Sequence, residues 1–231
     1  MTKTGAWRRG VVDAVLILAS ILVAFWIDAW WEDRQAMHLE SDALSAVHVE
    51  VEENLRRLEQ IKSINERYLD DVDRFLRAAP DELRSLPPDA VRSWIGSLYR
   101  PSTFEPDRAA ASVLATLPVS SSRGSAEARR LVSRLQSQLE RTERVAGGVV
   151  GVYTTVREQL ARYASRSALQ GRANLPSMVA RLGPDVLARL RMDDEFVSAV
   201  IEKAHVQSIY VQGLDQVVQT LDSLSVLLNE R

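Results

Sequence analysis

Residues 14–27 are apolar at every position except Ser20. A helix packed on the core of a water-exposed domain normally keeps a polar face, and none can be drawn through residues 14–19. Extended to 10–31, the segment holds 22 residues, about 33 Å as a helix, which matches the hydrocarbon thickness of a bilayer. A cleaved signal peptide would close on small residues. This run closes instead on Phe25, Trp26, Trp30 and Trp31, aromatic residues suited to a membrane interface. The sequence predicts a cytoplasmic N-terminus over 1–9, a transmembrane helix over 10–31 and an extracytoplasmic domain over 32–231.

Lys3, Arg8 and Arg9 precede the span, and Glu32, Asp33 and Arg34 follow it. The basic flank is the one retained inside. The expected location is therefore a bacterial inner (cytoplasmic) membrane, crossed once, with the C-terminal domain periplasmic or otherwise extracytoplasmic. The chain has no cysteine, which suits an oxidising compartment and excludes a disulfide scaffold, a thiolate zinc site and a cysteine nucleophile. Lys and Arg total 29 against 31 Asp and Glu. No strongly basic face points to nucleic acid as a partner.

Asp13 and Asp28 lie near the two ends of the span. On a helix Asp13, Ile17, Ser20, Ala24, Ile27 and Trp31 form one stripe, with Asp28 beside it. Ser20 and Ala24 make a small-xxx-small pair that lets a second helix approach closely. The stripe is thus a candidate association face, and the alternative is that both acids simply reach the headgroup region.

The helical pattern continues past the span. Met37, Leu44, Val51, Leu58, Asn65 and Val72 recur every seven residues, beside a row of Val47, Asn54, Ile61, Tyr68 and Phe75, and no Pro or Gly interrupts 11–79. This spacing predicts one long helix that leaves the membrane and offers a coiled-coil-like seam to partner helices, with Asn54 and Asn65 setting register. Prolines 80, 87 and 88 mark a loop, followed by short helices near 89–98 and 107–117. Ser125 reads as the N-cap of a helix reaching about residue 169. Gly147, Gly148 and Gly151 fall in its middle and suggest a kink, a close helix approach or a ligand-shaped hollow. Gly171, Pro176, Gly183 and Pro184 break the chain into short helices, and Asp193 or Asp194 caps a final helix that pairs with 39–79. The expected fold is all-α, a transmembrane helix continuing into an elongated antiparallel bundle with short accessory helices.

No catalytic constellation emerges. His38 and His48, ten residues apart on one helix, point about 80° apart and cannot share a metal. No phosphate loop, nucleophile elbow or Ser-x-x-Lys pair occurs. The chain is expected not to be an enzyme, to need no cofactor or metal, and to have as partners the lipid bilayer and either a second copy of itself or another membrane protein.

The segment DAVLILASILVAFWIDAWWEDR (residues 13–34) resembles the N-terminal anchor of a large family of uncharacterised bacterial single-pass membrane proteins. Asp13 matches the opening acid of that anchor, and Trp30 and Glu32 its Trp-x-Glu-like exit. Asp28, Ala29 and Trp31 depart from the usual asparagines. Residues 108–117 and the stretch around Asp194, Glu195 and Phe196 also look like that family. The resemblance implies a helical extracytoplasmic domain on one span and no known reaction. Two functions follow as expectations: a self-associating interaction or scaffold protein, or a ligand-sensing bundle that signals through a second membrane protein. For the latter the expected ligand positions are near Gly147–Gly151 or under Trp94 and Tyr99.

Overall fold

The computed structural model describes residues 4–117, 123–163 and 183–230, with side chains from Leu16 onward. Within them every regular element is helical. Helix α1 (Thr4–Arg77) is one uninterrupted rod of 74 residues, about 110 Å long. Then come α2 (Pro80–Arg84), α3 (Pro88–Tyr99), α4 (Ala109–Thr116), α5 (Arg123–Tyr163), α6 (Pro184–Arg191) and α7 (Asp194–Asn229).

Helix α7 packs against both α1 and α5. Lys62 bridges to Asp215 at 2.7 Å and Ser225 donates to Glu52 at 2.6 Å, so α7 runs antiparallel to α1. It also runs antiparallel to α5, since Gln159 meets Glu195 while Thr142 lies beside Gly213. The two rows read from the sequence form the α1 seam. Leu44, Val51, Leu58 and Val72 are buried, as are Val47 and Phe75, whereas Met37 is exposed.

The seam has two apolar cores. One joins Leu44, Val51 and Leu58 to Leu114, Leu135, Leu139, Leu214 and Leu221. The other joins Phe75 to Leu83, Ile95, Leu160, Leu187 and Phe196, with the Phe75 and Phe196 rings edge to face at 6.0 Å. Small helices plug the second core, α6 against α2 and α3 against α1 and α5.

Two local expectations are revised. The loop expected at 80–88 contains α2, because Pro80 suits the first helical position and Glu82 Oε2 accepts the Ala79 N–H at 2.9 Å. Ser125 does not cap α5, which already begins at Arg123; its buried hydroxyl instead bonds Glu40. Helix α5 continues without interruption through Gly147, Gly148 and Gly151. Asp193 does cap α7, its Oδ1 accepting from Glu195 N at 3.0 Å and Phe196 N at 3.1 Å. The short helix expected between the Gly171 and Gly183 breaks and the expected end of the preceding helix near residue 169 lie outside the described residues.

Among the described residues no helix is long and apolar enough to cross a membrane. The side chains of residues 10–15, the leading part of the expected span, lie outside the described set. From Leu16 to Leu39 no side chain is buried, and Glu40 is the first that is. The described side chains of α1 before Glu40 are therefore largely exposed, with Ala36 alone half-buried among them.

Candidate functional site

A band of polar side chains separates the two apolar cores. Helix α1 contributes Asn65, Tyr68 and Asp71, α3 contributes Ser97, α5 contributes Tyr153 and α7 contributes Lys203 and Gln207. Asn65 and Gln207 are fully buried, and Lys203 is 1% exposed.

The band is held together by directed bonds. Asn65 Nδ2 donates to Ile61 O at 2.8 Å and to Ser102 O at 3.0 Å, and its Oδ1 accepts from Gln207 Nε2 at 3.0 Å. Ser97 Oγ donates to Asp71 Oδ2 at 2.6 Å. The Lys203 ammonium donates to Ser97 O at 2.6 Å and stands 5.0 Å from the Tyr153 ring centre and 6.0 Å from that of Tyr68. Burial pulls the Lys203 pKa down to about 7, and the Asp71 carboxylate opposes that shift. Burial likewise pushes the Tyr153 phenol up, with Tyr68 adding to it, and among the described residues the Tyr153 hydroxyl has no hydrogen-bond partner.

The α3–α4 connection is bolted along one polar stripe of α1. Asn54 clamps Asp107, donating to its carbonyl at 2.8 Å and accepting its N–H at 2.9 Å. Arg57 donates to Glu105 O at 2.7 Å. Glu50 accepts from Ala110 N at 2.6 Å and Ala111 N at 3.3 Å, satisfying the first turn of α4. Burial raises the Glu50 pKa while those two N–H groups oppose the rise. On the other side Tyr210 Oη accepts Phe104 N–H at 2.7 Å. Asn54 and Asn65 thus hold a loop as well as a helix seam.

A hollow of about 220 Å³ between α1 and α3 is lined by Arg67, Tyr68, Arg92, Ser93, Gly96, Ser97 and Arg100. Three guanidinium groups and three hydroxyl-bearing side chains surround it, and no carboxylate lines it. Arg92 pairs with Asp89; Arg67 and Arg100 make no ion pair among the described residues. A larger depression of about 430 Å³ along α1 is lined by His48, Val49, Glu52, Glu53 and Arg56. It is a shallow surface of mixed charge, and Arg56 there already pairs with Glu53.

The residues singled out from sequence lie elsewhere. Asp13 is outside the described side chains. Ile17, Ser20, Ala24, Asp28 and Trp31 are all exposed on the projecting rod, with the Ser20 hydroxyl donating to Leu16 O at 2.8 Å. Gly147 and Gly151 face open space, and only Gly148 nears another helix, where an added Cβ would sit 3.7 Å from Val206. These glycines line neither described hollow. Tyr99 is buried in the second apolar core and Trp94 packs against that core. The opening lies instead on the Ser93, Gly96, Ser97 and Arg100 face of the same helix. Those four residues recur at helical spacing (three, one and three apart), the one local signal for the hollow. Its other wall, Arg67 and Tyr68, comes from a distant segment that only the fold brings near.

No protein-family model matches the chain, and neither a curated protein nor a solved structure is detectably similar to it. Among the described residues no group of His, Asp and Glu side chains could hold a metal ion.

Proposed function

We propose that this chain is a non-enzymatic, single-pass membrane protein whose extracytoplasmic bundle works as an interaction or scaffold module, associating with a second copy of itself or with another membrane protein. One observation carries the reading. Leu16, Ile17 and Leu18, three consecutive positions on a helix, are 59%, 63% and 59% exposed, and Ile21, Leu22, Phe25, Trp26, Trp30 and Trp31 are exposed as well. Apolar side chains bare on every face of a rod need a solvent other than water. A protein groove would cover one face, whereas lipid covers all of them.

The apolar run extends in sequence to Ala14, which brings 10–31 to bilayer thickness. The basic flank before it supports an N-terminus inside the cell and a bundle outside it. The same rod forms the spine of the bundle, so association of spans would be transmitted directly into the domain. The resemblance of residues 13–34 to the anchors of uncharacterised bacterial single-pass proteins agrees with this reading.

The absence of cysteine makes the test clean. Single replacements S20C, A24C and L22C in the full chain can be crosslinked in native membranes, beside a C-terminal reporter of sidedness. The expected result is a carbonate-resistant membrane product, an exported C-terminus, and crosslinked dimer through Ser20→Cys and Ala24→Cys but not Leu22→Cys. Recovery of the chain in the detergent-free soluble fraction, or a cytosolic reporter, would remove the anchor. Monomer at every position, with no partner crosslinked, would remove the scaffold.

The hollow between α1 and α3 favours a second reading, a ligand-sensing bundle that signals through another membrane protein. Ligand-dependent change in the same crosslinking pattern is its test.

A further inference from the structure

We infer that the hollow between α1 and α3 is a binding site for a small oxyanion ligand, with phosphate and its monoesters the class that suits it best. It deepens the sensing reading but stands apart from the anchor, because the site needs only the bundle.

Its lining is one-sided in charge. Arg67 from α1 and Arg92 and Arg100 from α3 surround the opening, with no acidic side chain among the lining residues. Carboxylates nearby are already engaged: Asp89 by Arg92, and Asp71 by the Ser97 hydroxyl. Arg67 and Arg100 have no carboxylate within ion-pair distance among the described residues, so two guanidinium forks remain to be satisfied by something from solution. Guanidinium groups bind the oxygens of phosphate and carboxylate in pairs.

The neutral donors match the charge. Tyr68 and Ser93 add hydroxyls to the lining that complement the oxygens guanidinium forks leave free, while the Ser97 hydroxyl is already held by Asp71. Gly96 keeps the floor low: a Cβ there would stand 3.8 Å from Arg100 Nε, inside the space the hollow occupies.

Position selects the source of the anion. Thirty-six residues of α1 separate Trp31 from Arg67, about 54 Å along the rod. That places the hollow far from any headgroups at the exit of the proposed span, so the ligand is a free solute and not a lipid of the same membrane. A volume of about 220 Å³ suits a compact dianion and excludes a polymer.

The test uses the full chain in a nonionic detergent, titrated with inorganic phosphate and, separately, with succinate, each against sodium chloride of equal ionic strength. Calorimetry and thermal shift are the readouts. The expected result is saturable phosphate binding with a rise in melting temperature that chloride does not reproduce. Arg67→Gln and Arg100→Gln, both exposed and free of structural bonds, should each weaken it at least tenfold, while Arg56→Gln on the other depression leaves it unchanged. Gly96→Ala should weaken it without lowering the melting temperature of the unliganded chain, since an interior helical alanine is favoured over glycine. Succinate binding with the same arginine dependence would keep the oxyanion site and move its ligand class to dicarboxylates. Binding without any change in crosslinking between spans would keep the site and remove the sensing reading. Absence of saturable binding by either anion, or equal binding by the Arg67→Gln/Arg100→Gln double variant, would overturn the inference.

Discussion

Gln207 Nε2 donates to both the side-chain oxygen and the backbone carbonyl of Asn65, at 3.0 and 3.3 Å, in a layer where neither residue reaches water. The pair lies 142 positions apart in sequence and fixes the register of α7 on α1. Asn65 also holds Ser102 O. Its removal strands a buried amide and a loop carbonyl together, which costs about 2–3 kcal/mol. Asn65→Ala should therefore lower stability by that amount in urea denaturation. Asn65→Leu combined with Gln207→Leu should recover part of it, because the Gln207 amide is no longer stranded while Ser102 O still lacks its donor. Equal losses in the single and double variants would show that the pair does not act as a unit.

The buried face of α1 was legible in the sequence. Seven-residue spacing named Leu44, Val51, Leu58, Asn65 and Val72 as one row, and all five are buried. Met37 obeys the same spacing yet is exposed, because periodicity reports a face and not how far a partner helix extends along it. The short helices were harder. Helix α2 rests on a five-residue turn with a capping contact, too brief to carry a period. The arginine hollow was least legible, since Arg67 and Arg100 are ordinary surface residues until α3 folds back onto α1. Among the described residues the glycines differ from one another: an added Cβ at Gly148 would lie 3.7 Å from Val206, while at Gly147 and Gly151 it would meet nothing within 4 Å.

That contrast yields a paired test. An interior helical glycine costs about 0.8–1.0 kcal/mol relative to alanine. With no atom within 4 Å of the added Cβ, Gly147→Ala and Gly151→Ala should each stabilise the chain by about that amount. Gly213 in α7 behaves oppositely. A Cβ there would lie 3.1 Å from Thr142 Oγ1, and Thr142 is itself buried between helices. Gly213→Leu should destabilise by about 1–3 kcal/mol through overpacking. Thermal denaturation of the three variants checks the sign in each case.

Lys203 makes stability depend on pH. An unfolded lysine holds its proton to about pH 10.4, but burial brings the folded Lys203 down to about 7. Between those values the unfolded chain binds more protons, so stability rises as pH climbs above about 7, and the full penalty of burying the charge applies below it. The limiting slope is about 1.4 kcal/mol per pH unit. Urea melts between pH 6 and 9 should show the rise. That window stops short of tyrosine ionisation, where the raised Tyr153, Tyr163 and Tyr210 work in the other direction. Lys203→Met should raise stability at pH 6 and flatten the profile. An unchanged profile would mean another group governs it.

The bundle should fold without its projecting rod. Its boundary is the buried Glu40, which is bridged to Arg129 at 3.1 Å and bonded to the Ser125 hydroxyl. Arg129 also donates to Leu114 O at 2.8 Å and Leu117 O at 3.0 Å, closing the end of α4. N-terminal to Glu40, back to Leu16, no side chain is buried, so deleting residues 1–33 removes no described packing contact. A chain of residues 34–231 should be recovered without detergent, be strongly helical, and melt within a few degrees of the full chain in micelles. Removing one partner of a buried ion pair costs about 3–5 kcal/mol. Arg129→Met in the fragment should therefore lower its melting temperature by far more than deletion of the rod does. If the fragment lost cooperative melting while Arg129→Met in the full chain had little effect, the stabilising contacts at this end would have to come from the rod and not from the Glu40 cluster.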